Sequence, residues 1–457
     1  MPARSCSEDD TQSFSPLPTG RHGLDRRVVA EHQRNRIVQA MIEMVEARGF
    51  QTVTIAALCK RARVTERAFY AQFESREECF LAAYDSILLR SVGYVLEAYG
   101  APPTSEEVLR GALGAVLEAT AEHPQEAHLV LIDAPTAGCR GTERNRRLTD
   151  TLQAQFARHA ARGPGANQVS GLILRGLVGG VRDVVSNRVA ANTTRQLPGV
   201  LDPLVAWLLS YVSEDPLELS RGRAPRRGPR QTARPDSPPL AGQGYPRKYV
   251  LENQRRRLME AVAAITHEKG YAGITVSGIA RHAHVSHKTF YEHFSDRHEA
   301  FLSTYEHGCD EVYAVSARAY AAHEQDWPRA VRAGLDKLLE WLAARPSQAY
   351  LAFVAFPAIG ADAHRIRYQA LQRFGAALAP GYERASNVPA ITGEAIAGGI
   401  FEIIAEEILC GRGERLRALL PLVTYITLAP FIGPQEAVRI AREPPLVAEA
   451  PTAPVTT

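Results

Sequence analysis

The sequence predicts an all-α protein built from two similar halves. Three observations predict it: apolar residues recur at spacings of three and four, sustained alternation typical of strands is missing, and one long stretch of the chain is repeated. The chain has 457 residues, which is too many for a single hydrophobic core. We therefore expect several helical domains.

Composition favours a cytoplasmic globular protein. The hydrophobic share of 45% and the charged share of 23% are ordinary. The amino terminus lacks the apolar stretch of a secretory signal, and no apolar run approaches the roughly 20 residues that cross a bilayer. The six cysteines lie far apart, which predicts reduced thiols and neither a zinc site nor a disulfide framework. We expect no metal and no other cofactor.

An internal repeat organises the chain. Residues 33–85 match residues 254–306 without a gap at an offset of 221, and 16 of the 53 positions are identical. The match resumes one residue out of phase, where Pro124 and Gly138 pair with Pro346 and Gly360, and it continues by pairing Gly176 with Gly398. A repeat of about 190 residues is a pair of domains and not a short solenoid unit. We call the two stretches the first copy and the second copy.

Each copy opens with a pattern of three helices. The first helix is indicated by apolar spacing that stops at Gly49 or Gly270. Hydroxyl residues that can cap a second helix follow at Thr54 and Thr275. A tight turn and another hydroxyl, Thr65 or Ser286, then open a third helix. Helix, tight turn and helix form the arrangement that places its last helix in the major groove of DNA.

A fourth helix is predicted directly after this pattern. Ser75 with Glu78, and Asp296 with Glu299, have the spacing of a capping box, in which the two side chains bond the exposed amides of a helix start.

These stretches resemble the amino-terminal domain of the TetR family of transcriptional regulators. The resemblance is carried by Thr54 to Phe73, which contains Ala62-Arg63-Val64-Thr65 and Phe69-Tyr70-Ala71-Gln72-Phe73, and by Thr275 to Phe294, which contains Val285-Ser286 and Thr289-Phe290-Tyr291-Glu292-His293-Phe294. The family usually has glycine in the turn where this chain has Arg63 and His284. These residues fit the turn if φ is negative there, and at a modest cost if φ must be positive.

The resemblance implies a DNA operator as partner and assigns roles to matching residues. Phosphate contacts, which fix register without reading sequence, are expected from Thr54, Thr275, Tyr70, Tyr291, Arg76 and Arg297. Base contacts are expected from Thr65, Glu66, Arg67 and Ala68 in the first copy and from Ser286, His287, Lys288 and Thr289 in the second. Because the two sets differ chemically, an imperfect palindrome is expected. The alternatives are core packing for the tyrosines and a merely solvated position for Glu66.

The resemblance also implies a helical ligand and dimerisation domain in each copy. The predicted boundaries are a disordered tail at 1–30, helix-turn-helix domains at 31–85 and 247–306, regulatory domains at 86–212 and 307–443, a Pro/Arg-rich linker at 213–246 and a second tail at 444–457. The final helices of both copies are expected to pair within one chain as a four-helix pseudo-dimer, and further homodimerisation stays open. Their glycines would allow close approach, or are simply tolerated.

An effector pocket is implied amid the middle helices of each copy. The second copy offers an aromatic set suited to an apolar or aromatic effector: Trp341, Tyr350, Phe353, Phe356, Phe374 and Phe401. The alternative is that these residues are plain core.

Enzymatic function is not expected, because the sequence has no phosphate-binding loop, nucleophile elbow or Cys-x-x-Cys pair. The histidines near the second turn, His282, His284, His287 and His293, are better explained by a DNA-facing surface than by a metal site. The runner-up function is a ligand-sensing or protein-binding scaffold with degenerate DNA-reading heads.

Overall fold

Helices make up the regular structure of the part of the chain that the structure describes, residues 25–98, 105–160, 171–211 and 247–444. The structure is a computed structural model. No strand occurs among these residues, so the all-α prediction is confirmed.

The described helices of the first copy are α1 Arg26–Arg48, α2 Ile55–Ala62, α3 Glu66–Tyr70, α4 Arg76–Ala98, α5 Ser105–Glu122, α6 Pro124–His128, α7 Cys139–Ala160, α8 Gly171–Ala190 and α9 Leu201–Leu209.

The described helices of the second copy are α10 Arg247–Lys269, α11 Val276–His282, α12 His287–His293, α13 Arg297–Ala321, α14 Trp327–Ala344, α15 Pro346–Tyr350, α16 Ala361–Gly375, α17 Ala379–Arg384, α18 Thr392–Leu409, α19 Leu420–Ile432 and α20 Pro434–Ala441.

The predicted tails and linker fall mostly outside the described residues. This holds for residues 1–24, for the linker at 213–246 and for residues 445–457. Helix α1 already begins at Arg26, inside the stretch expected to be a tail, because Asp25 caps it through a bond from the amide of Arg27 at 3.0 Å. Cys59, Cys79, Cys309 and Cys410 are free thiols, and the other two cysteines lie outside the described side chains.

The chain forms two compact units that do not follow the order of the copies. The described residues of unit 1 come from Met1–Thr151, Val185–Leu201 and Ala358–Arg365. Unit 2 comprises those of Leu152–Val184, Asp202–Pro357 and Ile366–Thr457. Each unit therefore contains one helix-turn-helix pattern and segments of both copies.

The core of the first helix-turn-helix domain in unit 1 is built by the predicted apolar face of α1. Ile37 and Met41 are fully buried and pack with Phe69 and Phe73, which flank the exposed tyrosine of α3. The pattern stops at Gly49, whose φ of 73° favours glycine. In unit 2 the corresponding domain buries Leu258, Val262, Phe290 and Phe294, and α10 stops before Gly270 at φ 68°.

Within unit 2, α8 and α9 of the first copy lie against α18 and α19 of the second. An added Cβ on Gly399 would lie 2.5 Å from the carbonyl oxygen of Gly176, so the two helix backbones touch. The hydroxyl of Tyr211, just after α9, donates to the carbonyl oxygen of Ile426 in α19 at 2.7 Å. These contacts place the final helices of both copies in one four-helix arrangement.

The register of this repeat differs from the sequence match. Gly176 was expected to pair with Gly398 at an offset of 222, but the contacts are symmetric at an offset of 219. Gly180 contacts Ala395, and Gly399 contacts Gly176. An offset of 219 relates Gly180 to Gly399 and Gly176 to Ala395, so the two contacts are equivalent only at this offset. Both helices also end at a left-handed residue 219 positions apart, Asn192 at φ 55° and Gly411 at φ 69°. Where few residues are identical, the ends of the helices and the contacts between their backbones determine the register between the two copies.

One segment, Gly413–Ile432, is apolar and long enough to span a membrane by composition alone. It contains α19, and 67% of its most apolar window is buried inside the structure. A core helix passes the same compositional test, so the segment is weak evidence for a membrane span.

Candidate nucleic-acid interface

The two helix-turn-helix patterns are built by the predicted caps. The hydroxyl oxygens of Thr54 and Thr275 accept bonds from the amides of Ala57 and Gly278 at 3.3 and 3.0 Å. Those of Thr65 and Ser286 accept from the amides three residues on, at 3.2 and 3.0 Å. These bonds satisfy amides that have no partner within a short helix. The cap predictions are confirmed.

The capping boxes of α4 and α13 are also confirmed, with one difference. The hydroxyl of Ser75 accepts from the amide of Glu78 at 3.1 Å, and Asp296 accepts from the amide of Glu299 at 2.8 Å. The glutamates reach back one residue further than expected, to the amides of Glu74 and Ser295 at 2.6 Å. For Glu299, bonds from the hydroxyl and then from the amide of Ser295 lower the pKa of the carboxyl.

The turn before each third helix adopts the conformation that favours glycine. Arg63 and His284 both have φ of 52°, in the left-handed region. The turn is closed by the amides of Val64 and Val285, which donate to the carbonyl oxygens of Cys59 and Ala280 at 3.0 Å. Both side chains are exposed, so they carry backbone strain without packing in return.

An arginine of the first helix holds each turn in place. Nη2 of Arg36 donates to the carbonyl oxygens of Ala62 and Arg63 at 2.5 and 3.2 Å. Arg257 donates in the same way to Ala283, and to His284 at 3.1 Å. Burial, and then the charge of Arg63, lower the pKa of Arg36. This pair was not predicted from the sequence, although both positions are arginine at the offset of 221.

A second arginine pair, also missed, ties the first helix to the end of the third. Arg34 and Arg255 lie 4.5 Å above the rings of Phe73 and Phe294. They donate to the carbonyl oxygens of Gln72 and His293 at 3.3 and 3.1 Å. Cation–π contact and a charged hydrogen bond together fix the carboxyl end of α3 and of α12.

The predicted base-reading side chains share the open face of the third helices. Thr65, Glu66 and Arg67 are exposed and Ala68 is half-buried. Ser286, His287 and Lys288 are likewise exposed, with Thr289 half-buried. Thr65 and Ser286 each accept the cap bond on one lone pair of the hydroxyl oxygen, and the hydroxyl of Ser286 also bonds that of Thr289 at 2.9 Å.

The tyrosines that end the third helices face solvent. Tyr70 is 56% exposed and Tyr291 59%, while the neighbouring Phe69 and Phe290 are fully buried. Each tyrosine ring packs edge-on against that phenylalanine, at centroid distances of 5.4 and 5.3 Å. This excludes core packing, the alternative for both tyrosines, and presents each hydroxyl outward.

Arg76 and Arg297 are engaged within the domain. Nη1 of each donates to the carbonyl oxygen before the cap of the second helix, from Arg76 to Val53 at 2.9 Å and from Arg297 to Ile274 at 2.8 Å. Arg76 also lies over the ring of Phe50 at 4.5 Å and pairs with Glu77 at 3.0 Å. Both guanidinium groups therefore hold the start of the second helix, and their contact with phosphate stays a prediction.

The histidines of the second pattern lie apart. Across the residues that the structure describes, no group of three or more His, Cys, Asp or Glu is placed to hold a metal ion. Nε2 of His293 lies 3.4 Å from the side-chain oxygen of Gln254, and burial lowers the pKa of this histidine.

Both patterns match the tetR family of bacterial regulatory proteins, over residues 37–83 and 258–303. The chain therefore carries two TetR-family DNA-binding domains in tandem, which supports a transcriptional regulator. The regulator is similar to a TetR-like transcriptional regulator from Rhodococcus sp. RHA1, with 21% identity over 41% of this chain and 98% of that chain, and a TM-score of 0.33. It is also similar to the fatty acid degradation regulator FadR from Bacillus halodurans, with 16% identity over 39% of this chain and 94% of that chain, and a TM-score of 0.35. No curated protein sequence matches it.

Unit 2 of the regulator contains a cavity of about 330 Å³. Its wall includes Tyr313, Ser316 and Tyr320 of α13, and Phe374 at the end of α16. The rest of the wall is mostly aliphatic. The oxygen of Ser316 is buried and has no hydrogen-bond partner among the described residues. The spacing of three, four and seven along α13 is the signal that could have located this wall from sequence.

Of the six predicted pocket residues, Phe374 alone belongs to this wall. Phe356 stacks on Tyr305 at 3.5 Å and is fully buried. Phe353 stacks on Phe401 at 4.7 Å. Trp341 lies under the guanidinium of Arg345, and Tyr350 against His267. These five residues therefore contact other parts of the fold and do not line this cavity, and only Phe356 and Trp341 among them are buried.

Proposed function

We propose that this regulator is a repressor that reads an imperfect palindromic operator with two different recognition helices and is released by an effector bound in unit 2. The observation that carries the proposal is that the two helix-turn-helix patterns have equivalent supporting contacts but different exposed side chains on their third helices. Both patterns have side-chain caps, an arginine of the first helix that bonds the turn and an exposed tyrosine, whereas Glu66-Arg67 is replaced by His287-Lys288.

Third helices that are held in the same way but expose different side chains favour two operator half-sites of different sequence. Arginine and lysine pair with guanine, whereas glutamate accepts from the amino group of cytosine. The phosphate-facing hydroxyls of Tyr70 and Tyr291 are the same in both and carry no sequence preference. Half-sites of one operator lie about 34 Å apart when a dimer reads them.

The contacts between final helices in unit 2 support an intramolecular pseudo-dimer. The resemblance to the family implies that such final helices pair two chains, and here α8 and α9 take the place of one chain and α18 and α19 that of the other. One chain would therefore supply both reading heads, and no second chain is needed to complete the operator contacts.

Binding to the DNA upstream of the regulator's own gene tests the proposal. We expect specific binding that weakens steeply between low and moderate salt, because phosphate contacts release counterions. Tyr70→Phe combined with Tyr291→Phe should weaken binding about tenfold, as two hydrogen bonds to phosphate are lost. The exposed Tyr249 lies at the start of α10, before the matched residues 258–303, and supplies the control variant Tyr249→Phe. Unchanged binding in the double variant would refute the tyrosine assignment, and salt-independent or absent binding would favour the scaffold function.

The cavity supports an effector with an apolar body and one polar group. The wall is mostly aliphatic and aromatic but also includes Arg373 and Thr427, and the buried oxygen of Ser316 supplies a polar contact without a partner. An apolar carboxylic acid series can serve as the probe, read by the thermal shift of the full chain. Ala317→Leu, which narrows the cavity, should abolish the shift, and Ser316→Ala should reduce it for polar members of the series. A shift that survives Ala317→Leu would place the effector elsewhere.

A further inference from the structure

Helix α8 of the first copy and helix α18 of the second form a close contact in unit 2, here called the seam. Gly179 packs against the side chain of Glu402, and its counterpart Gly398 packs against Asp183. A Cβ at either glycine would come closer to the carboxylate side chain than real Cβ contacts allow. The seam therefore buries two acidic side chains between touching helices.

The buried carboxylates are neutralised by arginines from the opposite copy. The side chain of Arg175 is 7% exposed, and its Nη1 lies 3.4 Å from Glu402 and 3.4 Å from Glu406. Arg182 also pairs with Glu402, and Arg367 of the second copy pairs with Asp183 of the first. Ion pairs buried this deeply cost far more to mismatch than surface pairs do.

The charges are not duplicated between the copies. At the seam's offset of 219, the counterpart of Arg175 is Glu394. If two second copies paired in the same geometry, Glu394 would take the place of Arg175 and face Glu402 and Glu406. Three carboxylates would then meet at one buried point, where like charges repel strongly.

Pairing of two first copies is disfavoured for a different reason. Asp183 is the counterpart of Glu402, and Asn187 is the counterpart of Glu406. Arg175 and Arg182 would therefore share one carboxylate instead of two. Asp183 would exchange Arg367 for these two arginines, because Arg367 aligns with the neutral Asn145 at the offset of 222 that holds around Gly138 and Gly360. Each half of the seam would then hold one buried positive charge in excess.

We propose that the seam is a charge-coded surface whose partner is the unlike copy of the same chain. The cationic face of α8 selects the acidic face of α18 and rejects its own kind, so the two copies close on each other and like copies of separate chains do not assemble. This selection depends on the seam alone and not on the DNA-reading role of the regulator.

Reversing the charges of the seam in the full-length chain tests the proposal. One variant carries Arg175→Glu and Arg182→Glu, a second carries Glu402→Lys and Glu406→Lys, and a third carries all four changes. Each half-inverted chain brings like charges together, so we expect its closed monomer to be disfavoured about a hundredfold, the scale for an uncompensated buried charge. The fully inverted chain should regain the monomer and much of its melting temperature.

Co-expression of the two half-inverted chains under different tags is the decisive measurement. Each chain carries the complement of the other, so we expect both tags in one particle of twice the 50.0 kDa chain mass. Two tagged wild-type chains should not co-purify. The matched control is Arg439→Glu, which reverses an arginine that also has two carboxylate partners but is 54% exposed, and it should leave mass and melting temperature nearly unchanged.

Three outcomes would overturn the proposal. The first is a half-inverted chain that stays monomeric with wild-type stability. The second is a fully inverted chain no better than the half-inverted ones, which would mean that the side chains act through packing and not through charge. The third is a co-expressed pair that associates no more than wild-type chains do. If both half-inverted chains are insoluble alone, the four-change chain and the co-expressed pair still decide.

Discussion

Arg63 and His284 illustrate how a single residue can carry strain that another residue stabilises. Both hold φ at 52° beside carbonyl oxygens that are bonded by an arginine of the first helix. A side chain in this region clashes with its own backbone, and glycine does not. The left-handed turn is therefore held by the surrounding hydrogen bonds, since neither arginine nor histidine favours this backbone conformation.

Replacing the strained residues with glycine should stabilise the regulator. We expect Arg63→Gly and His284→Gly each to raise the free energy of unfolding by about 0.5–1 kcal/mol, after allowing for the greater freedom of glycine in the unfolded chain. Thermal melts of the full chain measure this. Lys60→Gly, in the ordinary helical backbone of α2, is the control and should cost about 1 kcal/mol. Equal losses at Arg63 and Lys60 would show that the turn is not strained.

What could be predicted at the residue scale depended on distance along the chain. The caps at Thr54, Thr65 and Ser286 involve an amide three residues away, so the sequence determines them almost alone. The bonds from Arg36 and Arg257 to the turns span 26 and 27 residues. Such contacts require the packed domain, and sequence spacing does not reveal them.

At the scale of elements, the first helix sets the geometry of the reading helix. Arg257→Met would leave the carbonyl oxygens of Ala283 and His284 without their charged donor. We expect a loss of about 1.5–3 kcal/mol, typical of a hydrogen bond to a charged group, with weaker DNA binding. The neighbouring Arg256 is exposed and pairs only with Glu260 one turn on, among the pairs described. Arg256→Met should therefore cost under about 1 kcal/mol, and an equal loss in both variants would refute the special role of Arg257.

The last helix is attached through an ion pair that depends on pH. Arg329 bonds both oxygens of Glu443 at 2.9 Å, and these bonds, against a smaller effect of burial, lower the pKa of that carboxyl. A lowered pKa gives stability that is present above the ordinary value of 4.5 and is lost as pH falls through the folded value. We expect Glu443→Gln to melt below the wild type at neutral pH, with the gap closing in acid. A gap that stays constant with pH would mean that the charge of Glu443 is not involved.

At the scale of the molecule, sequence comparison predicted the duplication and the pairing of the final helices but misplaced their register. The sequence match pairs Gly176 with Gly398 because it carries the one-residue slip found upstream, an offset of 222, through to the final helices. The contacts show three further residues of slip before the seam, where Gly180 and Gly399 are the true counterparts. Identity is scarce in apolar helices because many side chains fill a core equally well, whereas the close approach of two backbones admits only the smallest residue.

The true register predicts matched effects at counterpart positions. A Cβ at Gly180 or at Gly399 would meet backbone atoms of Ala395 or Gly176, and backbone cannot move aside as a side chain can. We expect Gly180→Ala and Gly399→Ala each to lower the free energy of unfolding by about 1–3 kcal/mol, the usual cost of overpacking. Chemical denaturation of the full chain measures these changes. Gly199 and Gly413 have no atom within 4 Å of an added Cβ, so alanine at either position should leave the free energy of unfolding unchanged or raise it slightly. Tolerance of alanine at Gly180 and Gly399 would mean that the helices can separate, and the two copies would then not be held by a seam of fixed register.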